Sequence, residues 1–202
     1  MALCISGDQF IVQNFGNEGK TMMTNGMCGP PAQGNCSYVG TPSWPAALAS
    51  SPDIVTIMLG TNDAKAFNWF GVQKAGDSYE QDYINMIRTV QALPSRPQVF
   101  VMTLVPLFEP YPYEMDPNVI NSIISPLPTG VIGRVAAATG VRVVDIHSVF
   151  VAAGFDKSIT CDGCHPVDGA FLACACLALS AYVMNCSARP GLAVFSCFHS
   201  SM

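Results

Sequence analysis

A chain of 202 residues, half of them apolar and only 11% charged, can bury one sizeable core, is short for two domains and is not disordered material. Its net charge of −5 and pI near 4.9 exclude the basic face that nucleic acid requires. Charges are scattered rather than run together, so an anionic membrane surface is not an expected partner either.

The first ten residues, MALCISGDQF, have no basic start and no long apolar run, and do not read as a secretory signal. Four short apolar runs follow along the chain: FIVQN (10–14), IVTIML (54–59), VFVMTLV (99–105) and VRVVDI (141–146). They are rich in β-branched residues and nearly continuous, the pattern of strands covered on both faces. Between them, residues 78–93 predict a helix with Ser78 as N-cap and Tyr79, Tyr83, Ile87 and Val90 on one stripe. Residues 118–140 predict a helix interrupted at Pro126 and Pro128, resuming near Gly130 and ending at Gly140. A last helix is expected over about 167–185. Its apolar run, 170–184, has about 15 residues against the ~20 a membrane span needs. The remaining tail, 187–202, lacks periodicity and reads as a loosely attached extension of a domain over 1–186.

Strands alternating with helices predict a parallel α/β sheet with right-handed crossovers, whose ligands bind at the carboxyl ends of the strands. The nine cysteines do not fix a compartment. Cys28 and Cys36 lie in one Gly/Pro/Asn-rich loop and would pair in an oxidising, extracytoplasmic setting, while Cys174 and Cys176 read as small core residues. Nothing in the sequence speaks to oligomeric state.

Two motifs fall at predicted strand exits. NFGNEGKT (14–21) follows the first run and GTND (60–63) the second. Gly19 can present a backbone N–H and Asn62 a side-chain amide toward one oxygen, which is what stabilising a tetrahedral oxyanion requires; deleting such a donor costs roughly 3 kcal/mol. A third motif, Asp162-Gly-Cys-His165-Pro, leads into the last expected helix. A histidine three residues from an aspartate can turn Nδ1–H onto the carboxylate, leaving Nε2 free as a base. Asp63 reads as a brace of its loop, and His147, beside Asp145, as structural. His199 lies in the tail.

The same stretch, Cys161-Asp-Gly-Cys164-His165, also spells a C-x-x-C-H haem-attachment string. Parallel-sheet patterning supplies no pocket for haem. Zinc would need a fourth ligand beside Cys161, Cys164 and His165, and a redox pair would need a thioredoxin-like context. Asp162 and His165 are the stronger reading.

NFGNEGKT, GTND and DGCHP, in this order, resemble the second, third and fifth blocks of the SGNH, or GDSL-type, esterase/lipase superfamily, over roughly residues 8–185. The resemblance implies a flavodoxin-like three-layer α/β sandwich and a serine-type hydrolase of small acyl esters, without metal or cofactor. It makes His165 the general base, Asp162 its orienting partner, and Gly19 and Asn62 the oxyanion donors. GTNDAKAFNW, with Asn68 and Trp69, is similar to members acting on acetylated carbohydrates.

The family's first block, a strand ending in Gly-Asp-Ser, has no counterpart. AGDS (75–78) follows no strand. Ser6 stands three residues from Phe10, too few for a parallel crossover of a dozen or more. The sequence is therefore expected to lack the first strand, as an N-terminally truncated or inactive form, leaving the inner side of the 10–14 strand unpaired. The alternative to an esterase is a non-catalytic, glycan-binding module on the same scaffold.

Overall fold

A computed structural model describes residues 11–29, 34–71, 75–109, 111–152, 154, 160, 162–165 and 192–196. Five strands, β1 (Val12–Asn14), β2 (Ile54–Met58), β3 (Gln98–Met102), β4 (Arg142–Val144) and β5 (Leu192–Ser196), form one all-parallel sheet in the order β1-β5-β2-β3-β4. Five helices accompany them: α1 (Ser43–Ala49), α2 (Ala66–Trp69), α3 (Ala75–Gln91), α4 (Val131–Thr139) and α5 (Ile146–Ala152). Every residue of β2 is buried, as the continuous apolar run predicts for a central strand with both faces covered.

The strand between β1 and β2 overturns the expectation of a missing strand there. It comes from the tail, which the sequence had pointed to as loosely attached. Leu192–Val194 pair in register with Val12–Asn14 on one side, and Leu192–Ser196 with Ile54–Met58 on the other. The inner edge of β1 is thereby paired, and the five strands stand in the 2-1-3-4-5 spatial order of a flavodoxin-like sheet, with β5 in the second position. The physical reason is the hydrogen-bonding demand of the slot. Two parallel strands left one strand-width apart present unpaired N–H and C=O groups, each costing about 1–3 kcal/mol if buried, and a short apolar run satisfies them.

Helix α3 confirms its predicted stripe. Tyr79, Tyr83, Ile87 and Val90 are fully buried, and the two tyrosine hydroxyls donate to the carbonyls of Leu59 (2.7 Å), just past β2, and of Ile57 (3.1 Å) on it. Its start differs: α3 begins at Ala75, so Ser78 lies inside the helix, not at its N-cap, and its hydroxyl is buried without a partner. The expected 118–140 helix divides as its prolines require, into one π-helical turn (Val119–Ile124) and α4, which ends on Gly140 in the left-handed region (φ 71°). Strand β3 stops at Met102, short of 105. Beyond it, side chains take over from the ladder: Ser125 Oγ accepts the Leu104 amide (3.2 Å), and Thr103 Oγ1 accepts the His147 amide (2.8 Å) and donates to Asp145 (3.1 Å).

Helices α1, α2 and α5 were not anticipated. The signal for α5 was Asp145, whose Oδ1 accepts the Ser148 amide (3.0 Å) at the helix start. Cys28 and Cys36 form the expected disulfide. No helix among the described residues is long and apolar enough to cross a membrane. The expected helix over 167–185, with Cys174 and Cys176, and residues Ser6, Cys161 and His199 lie outside the described residues.

Candidate active site

Three loops converge above the carboxyl ends of β1 and β2. The first leaves β1 through a turn in which Asn14 Oδ1 accepts the Gly16 amide (2.8 Å) and Tyr38 Oη donates to the Phe15 carbonyl (2.8 Å). Gly19 follows with φ 73° and no atom within 4 Å of where a Cβ would sit. This position needs glycine for its conformation, not for space.

The second loop leaves β2 at Gly60, where φ is 141° and a Cβ would stand 2.3 Å from the Tyr79 hydroxyl oxygen. Glycine is required here on both counts. Asn62–Ala64 then make one 3₁₀ turn. The Asn62 side chain is nearly buried and makes no hydrogen bond within the described residues, so its amide donors stay available. Its backbone carbonyl is fixed by Asn68 Nδ2 (3.1 Å), which also donates to the Met27 carbonyl (3.2 Å), while Asn68 Oδ1 accepts the Met27 amide (3.0 Å). Trp69 packs on Tyr79 with ring centroids 5.6 Å apart. Asn68 and Trp69 therefore brace the second loop from below.

Asp63 joins the first two loops. Its carboxylate is fully buried and accepts the amides of Met22 (2.9 Å) and Met23 (3.0 Å), one on each oxygen. Burial pushes its pKa up to about 7; the two amides oppose that rise, and the charge of Asp82 adds to it. A carboxylate retained at such a site acts as a brace, as the sequence suggested, and it sets the Gly19 loop against Asn62.

The third loop carries Asp162 and His165, and here the predicted pairing is realised. His165 Nδ1 lies 2.7 Å from Asp162 Oδ2, while Asp162 Oδ1 accepts the amides of His165 (2.8 Å) and Cys164 (3.0 Å). Burial would raise the Asp162 pKa. The His165 amide and ring, the Cys164 amide and the His165 charge together outweigh it and hold the carboxyl at about 2. Asp162 is thus ionised whenever His165 needs orienting. The loop is itself pinned: Thr160 Oγ1 accepts the Gly163 amide (2.9 Å), and the Gly163 carbonyl accepts that of Phe108 (2.9 Å).

Gly19, Asn62 and His165 line one cavity of about 120 Å³, together with Glu18, Thr61, Lys65, Tyr113, Met115 and Cys164. This is smaller than the ~300–1,000 Å³ of pockets for drug-sized ligands. Cys164, the other half of the haem-like string, is buried against Met115, with Sγ and Sδ 3.8 Å apart. His147 stands elsewhere. Its Nε2 lies 3.3 Å from Asn121 Oδ1, burial lowers its pKa against the opposing charge of Asp145, and it does not border the cavity.

Sequence reasoning missed Tyr113, whose hydroxyl donates to Asp162 Oδ2 (3.1 Å) and whose ring meets His165 edge-on at 6.1 Å. It also missed Lys65 and Thr61 at the cavity wall. Thr61 lies inside GTND and Lys65 two residues beyond it, so the motif and a short extension of it could have pointed to both. Nothing in PYPYEM (110–115) points to Tyr113.

Residues 22–168 match the GDSL-like Lipase/Acylhydrolase family, a stretch that contains Asn62, Asp162 and His165. An acetylxylan esterase of Xylanibacter ruminicola is 31% identical over 179 residues, which cover 80% of this chain and 33% of that protein. The chain thus spans about a third of the length of the curated relative it matches. Among solved structures, a putative arylesterase from Agrobacterium tumefaciens superposes with a TM-score of 0.54 at 20% identity, covering 83% of this chain and 76% of that one. A putative acylhydrolase from Bacteroides fragilis gives 0.51 at 20% identity, over 70% and 68%. These two likenesses establish the fold.

Proposed function

This chain belongs to the GDSL-like lipase/acylhydrolase family, and from that premise we propose that it is built to hydrolyse small acyl esters, with acetyl groups on carbohydrate as the substrate class. The observation that carries the reading is the convergence of Gly19, Asn62 and His165 on one small cavity. Support for the acetyl and carbohydrate part comes from the cavity's size and from the acetylxylan esterase relative.

In this reading Asp162 holds Nδ1–H of His165, so that Nε2 carries the lone pair and serves as base. Nε2 takes the proton of the attacking hydroxyl as its oxygen bonds to the acyl carbon. The carbonyl oxygen becomes an oxyanion between the Gly19 amide and the Asn62 side chain. His165 then returns the proton to the departing alcohol, and water repeats the sequence to release the acid. The cavity is walled without serine among the described residues, and β5, which stands between β1 and β2, ends at Ser196, paired with Met58.

Residues 1–202 are accordingly expected to turn over 4-nitrophenyl acetate slowly or not at all, and to gain activity when preceded by a strand ending in Gly-Asp-Ser that displaces β5 from its place between β1 and β2. A fluorophosphonate probe should label only the extended protein. A robust rate from residues 1–202, abolished by His165→Ala, would show that another residue attacks and would overturn this account of the nucleophile. The absence of serine from the described cavity wall favours one second reading, a module that binds acetylated glycans without cleaving them. Binding of an acetylated xylo-oligosaccharide, with no hydrolysis even after extension, would select it.

A further inference from the structure

We propose that Tyr113 is a positioning residue for the Asp162–His165 pair, a third member that anchors the carboxylate from the side opposite its own loop. The proposal rests on the reading of His165 as the base.

Asp162 is held on its own loop through Oδ1, by the two amides of Cys164 and His165. Its other oxygen, Oδ2, meets the His165 ring, and rotation about the last side-chain bond would swing Oδ2 away without breaking the covalent frame. The only described donor from outside the loop that meets Oδ2 is the Tyr113 hydroxyl at 3.1 Å. A carboxylate oxygen has lone pairs for both, and a neutral phenol donates to it without supplying a competing charge. The tyrosine ring also stands edge-on to the imidazole, 6.1 Å between centroids and 74° between planes, an aromatic arrangement that resists ring rotation.

The segment that carries Tyr113 is held in a form its sequence does not favour. Tyr113 and Glu114 both have positive φ, 57° and 58°, a left-handed pair with no glycine. Such backbone persists only where the surroundings impose it. Those surroundings are the second loop of the site: Lys65 and Met115 form an antiparallel bridge, and the Asp116 amide donates to the Ala64 carbonyl (2.9 Å). The strained turn therefore ties the Asn62 loop to the Asp162–His165 loop, with the phenol as the link. Tyr113 nevertheless remains 56% exposed and borders the cavity, so burial does not explain its orientation. The other ionisable side chains facing this corner are Glu18 and Lys65 on the cavity wall.

The test is Tyr113→Phe in ¹⁵N-labelled protein, read by NMR of the His165 ring at neutral pH. Removing the hydroxyl alone should free Oδ2 to rotate and speed exchange of the Nδ1 proton with water by about tenfold or more, the worth of one hydrogen bond to a charged group. Part of the neutral ring population should shift to the other tautomer. Unchanged Met22 and Met23 amide signals would show that the fold is intact. An exchange rate and tautomer ratio equal to those of the unsubstituted protein would overturn the proposal. Because the measurement involves no ester, failure of the extended protein to hydrolyse esters would count against the proposed activity and leave this result standing.

Discussion

Replacing Asp63 by asparagine tests whether a buried charge is retained for position at the expense of stability. The carboxyl has a folded pKa of about 7 against an ordinary 3.8. A raised folded pKa means the native state holds a proton that the unfolded chain has lost between those values. Its contribution to stability is therefore full below pH 3.8 and is lost as pH rises through 7. At about 1.4 kcal/mol per pH unit, the two units between pH 5 and 7 amount to roughly 3 kcal/mol. Asparagine resembles the protonated acid in shape, in carrying one acceptor and in setting a donor against one of the Met22 and Met23 amides, and it does not titrate. Asp63→Asn should thus match the unsubstituted protein only below pH 3.8, and its stability advantage should grow by about 3 kcal/mol between pH 5 and pH 8. Urea unfolding of both proteins at the two pH values isolates this difference, since every other carboxyl is common to both. The same variant should disturb the Met22 and Met23 amide signals at pH 8, where only the carboxylate can accept both. A stability difference that stays constant between pH 5 and 8 would refute the reasoning, because it would mean that Asp63 titrates normally.

Three further outcomes are expected. His165→Ala removes the ring partner and the charge that help hold Asp162 at about 2 while keeping the residue-165 backbone amide, so the Asp162 carboxyl, followed by ¹³C NMR, should titrate closer to 3.8. In the unsubstituted protein the depressed value stabilises the fold above pH 3.8, and that contribution should fade as pH falls toward 2. Gly60→Ala places a Cβ 2.3 Å from Tyr79 Oη at φ 141°, so strain and overpacking should together cost about 2–6 kcal/mol in urea unfolding and displace the hydroxyl from the Leu59 carbonyl. Val194→Pro puts a residue without an N–H in the middle of β5, between β1 and β2. It should cost about 3 kcal/mol or more and expose residues 12–20 to proteolysis, whereas a loosely attached tail would tolerate it.

What the amino-acid sequence determined by itself was local and periodic. Continuous β-branched runs specified buried parallel strands, the tyrosine stripe specified which side of α3 faces the sheet, and Gly140 specified where α4 ends. Asp162 and His165 are three residues apart, so their pairing needed only a turn. That the Gly19 and Asn62 loops share one side followed from their places after predicted strands, since strands of a parallel sheet all exit at the same edge, whereas only the fold brings the His165 loop to them. Tertiary structure decided the rest, for a common reason: the partner lay far along the chain. LAVFS is five residues long, and nothing within it shows which strands it will separate; the gap between β1 and β2 selects it. Ser78 has the letters of a helix cap, but packing of Tyr79 against Gly60 carries the helix past it to Ala75. Asp63 becomes a brace only where Met22 and Met23 arrive, and Tyr113 reaches Asp162 only because the second loop imposes a left-handed turn. Periodicity records what one residue asks of its neighbours in sequence, whereas hydrogen bonds spanning 40 or 49 residues record what the fold brings to it.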